Sequence, residues 1–238
     1  MTRPFVLVPG AWLGAWAWER VVPRLEERGH AAYPVTLTGM AERAQLASKD
    51  VGIETGIQDV LGVIRHNDLK DVVLVGHSFA GKVAAAVADR AAERIGRVLY
   101  LDGFSPEKVR TPQGAFPDEF PVKDSMVPFP EAFLDVAGKD VQGADRAWLM
   151  SKATPLPVRY FRDPITLSAR YDSVRTSYIF CTGGDTLAWY ASQAPDGDVD
   201  AVLTKKLDGP YKLVNSGHYP MITKPKELSE ALVSLAGR

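Results

Sequence analysis

The sequence predicts an α/β fold: a mostly parallel central sheet with helices packed on both faces. Three observations predict it. From Phe5 to Asp102, short apolar runs alternate with stretches of helical periodicity. One run, Val72-Val73-Leu74-Val75 followed by Gly76-His77-Ser78-Phe79-Ala80-Gly81, joins a buried strand to a helix through a sharp turn of small residues. After an interruption rich in proline and aromatic residues, the strand pattern resumes at Ser177. Strands and helices that alternate at this spacing form parallel sheets, which helices must cover on both sides.

Each element follows from local composition. Phe5-Val6-Leu7-Val8 is a strand stopped by Pro9-Gly10. Residues 15–28 read as a helix with Trp16, Val21, Val22 and Leu25 turned inward and Gly29 closing it. Residues 31–35 form a second strand, 53–64 a helix, 71–76 the strand before the turn, 79–93 the helix after it and 95–102 the next strand. From Phe104 to Ser173 the alternation stops. Prolines from Pro106 to Pro164 crowd this stretch, with Met126, Phe129, Phe133 and Trp148 among them. It holds too many aromatics for a disordered linker. It reads as a cap, or lid, inserted over the sheet, which builds a satellite core, lines an apolar pocket, or does both. The expected division is a core of residues 1–103 and 174–238 and a cap of residues 104–173. Strands return at 177–181 and 211–214, and a last helix spans 225–236.

At 238 residues, 46% hydrophobic and with a formal net charge of −1, the chain fits one large domain and carries no basic stripe for nucleic acid or an anionic membrane surface. No apolar run approaches the roughly 20 residues of a membrane span. The first apolar stretch meets Pro9-Gly10 at once and reads as a strand rather than a secretory signal. A single cysteine, Cys181, excludes an internal disulfide and fits a reducing cytoplasm. Within its apolar run it reads as a buried structural thiol. The partner expected is a small-molecule substrate, with no nucleic acid and no membrane; a homodimer is left open. Four histidines and one cysteine make no ligand set, and no phosphate loop or dinucleotide fingerprint is present, so neither metal nor cofactor is expected.

A serine on a tight strand-to-helix turn suits a nucleophile. Gly76 lets the strand end in a bend, and Ala80 and Gly81 let the helix press on the sheet. The bland alternative is a helix-capping serine in an ordinary turn. A serine hydroxyl needs a base, and the base needs an orienting acid. His30 and His66 follow helix ends and read as surface residues. His77, inside the turn, cannot easily face the serine oxygen. His218, in Gly217-His218-Tyr219-Pro220 after a late strand, is the expected general base. Two aspartates directly follow predicted strands. Asp185 is preferred because its strand lies nearest the histidine loop in sequence; Asp102 is the alternative, or supports the loop by backbone hydrogen bonds. The oxyanion donors expected are the amides of Phe79, at a helix N-terminus, and Ala11, in the loop freed by Gly10. The pocket is expected to include Gly10, Trp12, Phe104, Met126, Phe129, Trp148 and Tyr219.

The same residues carry a family resemblance. Phe5 to Trp12, Thr36-Leu37-Thr38-Gly39, Gly76 to Gly81, Tyr100-Leu101-Asp102, Cys181-Thr182 with Asp185, and Gly217-His218 span nearly the whole chain. Together they resemble the α/β-hydrolases, in the branch that holds plant methylesterases, hydroxynitrile lyases and bacterial esterase relatives. The resemblance implies the α/β-hydrolase fold with an inserted cap, a triad of Ser78, Asp185 and His218, and oxyanion donors at Ala11 and Phe79. It implies a serine hydrolase that cleaves a small, partly apolar carboxylic ester through an acyl-enzyme. The alternatives are the same triad acting on a C–C, lactone or cyanohydrin bond, or a hydrolase-like shell that only binds a small ligand. Two departures bear on the choice. The family usually has histidine where Pro9 stands, and often where Leu13 stands. Its lyases place threonine at Gly10 and lysine where this chain has Tyr219; without that lysine a departing cyanide has no cation to stabilise it, which favours the ester.

Overall fold

Side chains along a strand point alternately to opposite faces, so a strand that is apolar throughout must be covered on both sides. The structure, a computed structural model, describes residues 2–103, 121–194 and 196–237. In it β1 (Phe5–Val8) and β3 (Val72–His77) are buried along their whole length. Val6, Val8, Val72 and Leu74 enter one core cluster, and Phe5, Leu7, Val73 and Val75 enter a second. With β2 (Ala32–Pro34), β4 (Ile95–Leu101), β7 (Thr176–Cys181) and β8 (Tyr211–Val214) they form a six-stranded sheet in the order β2-β1-β3-β4-β7-β8. Every pairing in that sheet is parallel. This is the expected α/β class.

Helices supply the two covers. α2 (Ile53–His66) buries Ile57, Val60, Leu61 and Ile64, and α3 (Ala80–Arg90) buries Val83 and Val87, all in the first cluster. The helix expected over 15–28 is broken: a single 3-10 turn at Ala15–Trp18 precedes α1, which spans only Val22–Glu26. Pro23 is the cause. It lacks an N–H and its ring would meet the carbonyl one turn back, so the helix must restart beside it. Between β4 and β7, β5 (Met126–Val127) and β6 (Leu156–Pro157) pair antiparallel, and the same stretch of chain forms α4 (Ala132–Val136), α5 (Gly143–Lys152) and α6 (Arg159–Arg162). The apolar residues of this region divide between the two existing clusters: Val127, Leu156 and Phe161 join the first, Leu134, Val141 and Leu149 the second.

After β7 the chain forms α7 (Asp185–Ala191) and α8 (Val199–Lys206), where the sequence pattern marked no helix. α9 (Pro220–Thr223) and α10 (Pro225–Ala236) end the fold, and Leu228, Leu232 and Leu235 of α10 fill the second cluster. Among the described residues no helix is long and apolar enough to cross a membrane.

Candidate active site

Strand register sets the first two groups. Gly76 pairs with Tyr100 and His77 with Leu101 across β3 and β4, so the chain leaves these strands side by side at Ser78 and Asp102. Both residues enter the left-handed region, Ser78 with φ 56° and Asp102 with φ 41°, and Trp12 beyond β1 does so with φ 66°. For residues that carry a Cβ this conformation costs about 1–3 kcal/mol each and persists only where neighbours enforce it. Hydrogen bonds do so here: the Ser78 N–H donates to the Leu101 carbonyl at 3.0 Å and the Asp102 N–H to the Ile179 carbonyl at 2.8 Å. Gly76 lets α3 lie close against the strand, because a Cβ there would stand 2.7 Å from the Ala80 carbonyl oxygen.

The loop after β8 brings in His218. Its Nδ1 lies 2.7 Å from Asp102 Oδ2. A carboxylate can only accept, so Nδ1 carries the hydrogen and Nε2 keeps its lone pair, the form a general base requires. Asp102 is 1% exposed, and its Oδ1 accepts the Cys181 N–H at 3.3 Å. The structure therefore corrects the preference for Asp185. That residue opens α7, and the carboxylate that meets the imidazole is Asp102. A Cβ at 184 would stand 2.7 Å from Asp102 Oδ1, so Gly184 clears the seat that Asp102 occupies.

The histidine loop is held from the region between β4 and β7. The His218 N–H donates to the Ala137 carbonyl at 2.7 Å. Asp140 Oδ2 accepts the Gly217 N–H at 2.9 Å, the Ser216 hydroxyl at 3.0 Å and the Thr223 hydroxyl at 2.8 Å. Phe79 is the N-cap of α3, where backbone N–H groups lack helical partners and the helix dipole favours negative charge. Ala11 lies in the turn after β1, buried beside the strained Trp12.

Aromatic rings wall this rim. Trp12 meets Phe129 edge-on at 5.4 Å, Phe161 at 5.8 Å and Phe133 at 6.2 Å, and its indole N–H donates to the Val127 carbonyl. Phe133 lies 5.6 Å from His218, and Phe161 5.8 Å from Phe79. Trp12 and Phe129 were expected at the pocket; Phe133 and Phe161 were not. Phe161 could have been suspected from the Arg159-Tyr160-Phe161-Arg162 run, two rings between charges shortly before the strand pattern resumes. Trp148 lies elsewhere, 5.0 Å from Trp16 with the Arg20 guanidinium 4.8 Å over its ring. Tyr219 is 1% exposed, packed against His77 and His218 rather than open to a ligand. Met126 is half-buried and opposite Pro157 in the small sheet, and Phe104 lies outside the described residues. Among the described residues no group of three or more His, Cys, Asp and Glu could hold a metal ion.

Residues 5–231 match the profile of the Alpha/beta hydrolase family. This chain belongs to that family. Among its relatives, the carbendazim hydrolyzing esterase of Nocardioides sp. (strain SG-4G) is 33% identical, the alignment covering 97% of this chain and 98% of that protein. Methylesterase 9 of Arabidopsis thaliana is 24% identical, covering 99% of both. Among solved structures, an extracellular alpha/beta-hydrolase from a Paenibacillus species superposes with a TM-score of 0.77 at 22% identity, covering 98% of both chains. In this hydrolase the elbow serine, the buried histidine–aspartate pair and the aromatic walls all sit at the carboxyl ends of the parallel strands, where open α/β sheets place their sites.

Proposed function

We propose that Ser78 is the nucleophile, His218 the general base and Asp102 the orienting acid of a carboxylesterase acting on small, partly apolar esters. Ester hydrolysis fits the family and its esterase relatives. The observation that carries the assignment of roles is the 2.7 Å bond between His218 Nδ1 and Asp102 Oδ2, with both partners buried, beside a serine at φ 56° on a strand-to-helix turn. His218 Nε2 takes the Ser78 hydroxyl proton as the oxygen attacks the ester carbonyl. The amides of Ala11 and Phe79 receive the oxyanion. The imidazolium, stabilised by Asp102, returns the proton to the departing alcohol, and water breaks the acyl-enzyme by the reverse sequence.

The segment around 104–173 acts in this reading as a cap whose Phe129, Phe133 and Phe161 meet Trp12 to bind the apolar part of the ester. A cytoplasmic location belongs to the same reading, supported by the single buried cysteine, whose thiol burial pushes well above its ordinary pKa. The test is labelling with a fluorophosphonate, followed by p-nitrophenyl acetate and butyrate hydrolysis. Wild type should label on Ser78, and Ser78→Ala should lose labelling and about three to six orders of magnitude in turnover. An unlabelled Ser78 with unchanged hydrolysis in the variant overturns the assignment.

A further inference from the structure

His77 takes no proton in this scheme, yet it is 1% exposed and both its ring nitrogens are engaged. Nδ1 lies 3.1 Å from the Gly10 backbone nitrogen. An amide N–H can only donate, so Nδ1 must present a lone pair. Nε2 then carries the ring's single hydrogen and donates it to the His218 carbonyl oxygen, 2.8 Å away. The fit around the ring is close: a Cβ on residue 10 would stand 2.6 Å from Nδ1, so this seat admits only glycine opposite it. The ring also lies 4.7 Å from that of His218 and 6.1 Å from that of Tyr219, the titratable groups packed on it, with Asp102 beyond His218.

We propose that His77 is a positioning residue, an uncharged clamp that fixes the loop after β1 and the His218 loop to each other and to the nucleophile turn. The inference rests on the catalytic roles assigned above. Residue 77 is covalently next to Ser78, its Nδ1 holds the Gly10 amide one residue before Ala11, and its Nε2 holds the backbone of the base. One side chain thus ties together the segments that supply nucleophile, oxyanion donor and base. A second proton on the ring would face the Gly10 N–H with another N–H and undo one end of the clamp. Burial, with the neighbouring His218, holds the ring well below the ordinary imidazole pKa and so keeps it in the form the clamp needs.

Two substitutions separate the two ends. His77→Asn keeps an acceptor near the Nδ1 position and loses the donor to the His218 carbonyl. His77→Gln keeps a donor near Nε2 and loses the acceptor for Gly10. The Asn variant should lower kcat by roughly ten- to a hundred-fold and move the acid limb of its pH–rate profile, because the base is displaced. The Gln variant should bind a trifluoromethyl ketone, which mimics the tetrahedral adduct, roughly ten-fold or more weakly while keeping the wild-type pH limb. A readout independent of turnover is 15N NMR of the His77 ring, which should show the neutral Nε2–H tautomer throughout pH 5 to 8. A ring that titrates in this range, an Nδ1–H tautomer, or two variants that lose activity in the same way in step with lost thermal stability would overturn the clamp. Absence of hydrolysis and of Ser78 labelling in the wild type would instead overturn the esterase assignment, and leaves the NMR test of His77 standing.

Discussion

The sharpest residue-scale choice is between two aspartates, and distance and burial favour Asp102. Asp102 meets His218 at 2.7 Å with 1% of its surface exposed. Its other oxygen is anchored on the Cys181 amide, so the carboxylate cannot swing away without breaking a β7 contact. Asp102→Asn should keep the fold but let the imidazole settle with its hydrogen on the wrong nitrogen, costing about three to four orders of magnitude in kcat. Asp185→Asn, measured beside it, should cost far less; the reverse order would return the role to Asp185. Ser78 and His218 stand out in the sequence because each has a local signature, a serine between small residues after an apolar strand and a histidine after glycine in a late loop. Asp102 is the weaker candidate in the sequence because its strand lies far along the chain from the histidine loop, and nearness along the chain does not report nearness in space. β4 lies directly between β3 and β7 in the sheet, and that order is set by crossovers no local pattern reports.

At the scale of elements, the region between β4 and β7 grips both the helix after Ser78 and the loop around His218. Lys82 of α3 is buried, and its ammonium donates to the carbonyls of Phe161 at 3.2 Å and Asp163 at 2.9 Å. Burial pushes its pKa down and the nearby Asp163 partly restores it. On the other side Asp140 collects three donors from the loop and helix around His218. Asp140→Ala removes the shared acceptor and should lower both stability, by about 1–3 kcal/mol, and kcat, by roughly ten-fold, as read by thermal melts and steady-state rates. Unchanged kcat with lowered stability would make Asp140 a purely structural tie. Most of the parallel strands and the helices α2, α3 and α10 were legible from periodicity. The break at Pro23 and the helices after β7 were not. The first depends on a clash one turn back along the chain. The second depends on packing, through Tyr190 and Leu203, into a core formed by distant strands.

For the whole molecule, the same buried His77 makes stability depend on pH. Burial, with the neighbouring His218, holds its folded pKa well below the ordinary imidazole value, so in mildly acidic solution the unfolded chain binds a proton that the folded chain refuses. The contribution is fully present above the unfolded value and is lost as pH falls below it, with a slope of up to about 1.4 kcal/mol per pH unit for this one group. Thermal melts should therefore drop more steeply between pH 6.5 and 5 in wild type than in His77→Gln; parallel curves would mean that other groups carry the acid sensitivity. A wider consequence attaches to the left-handed backbone at Trp12, Ser78 and Asp102. Glycine would relieve the backbone at Ser78 and Asp102, whereas at Trp12 the lost packing of the buried indole outweighs that gain, so a laboratory selection for heat resistance alone can be drawn toward two residues it must not touch. Any thermotolerant descendant has to be screened for turnover at every round, because relaxing the backbone at Ser78 or Asp102 would also remove a side chain on which the proposed chemistry depends.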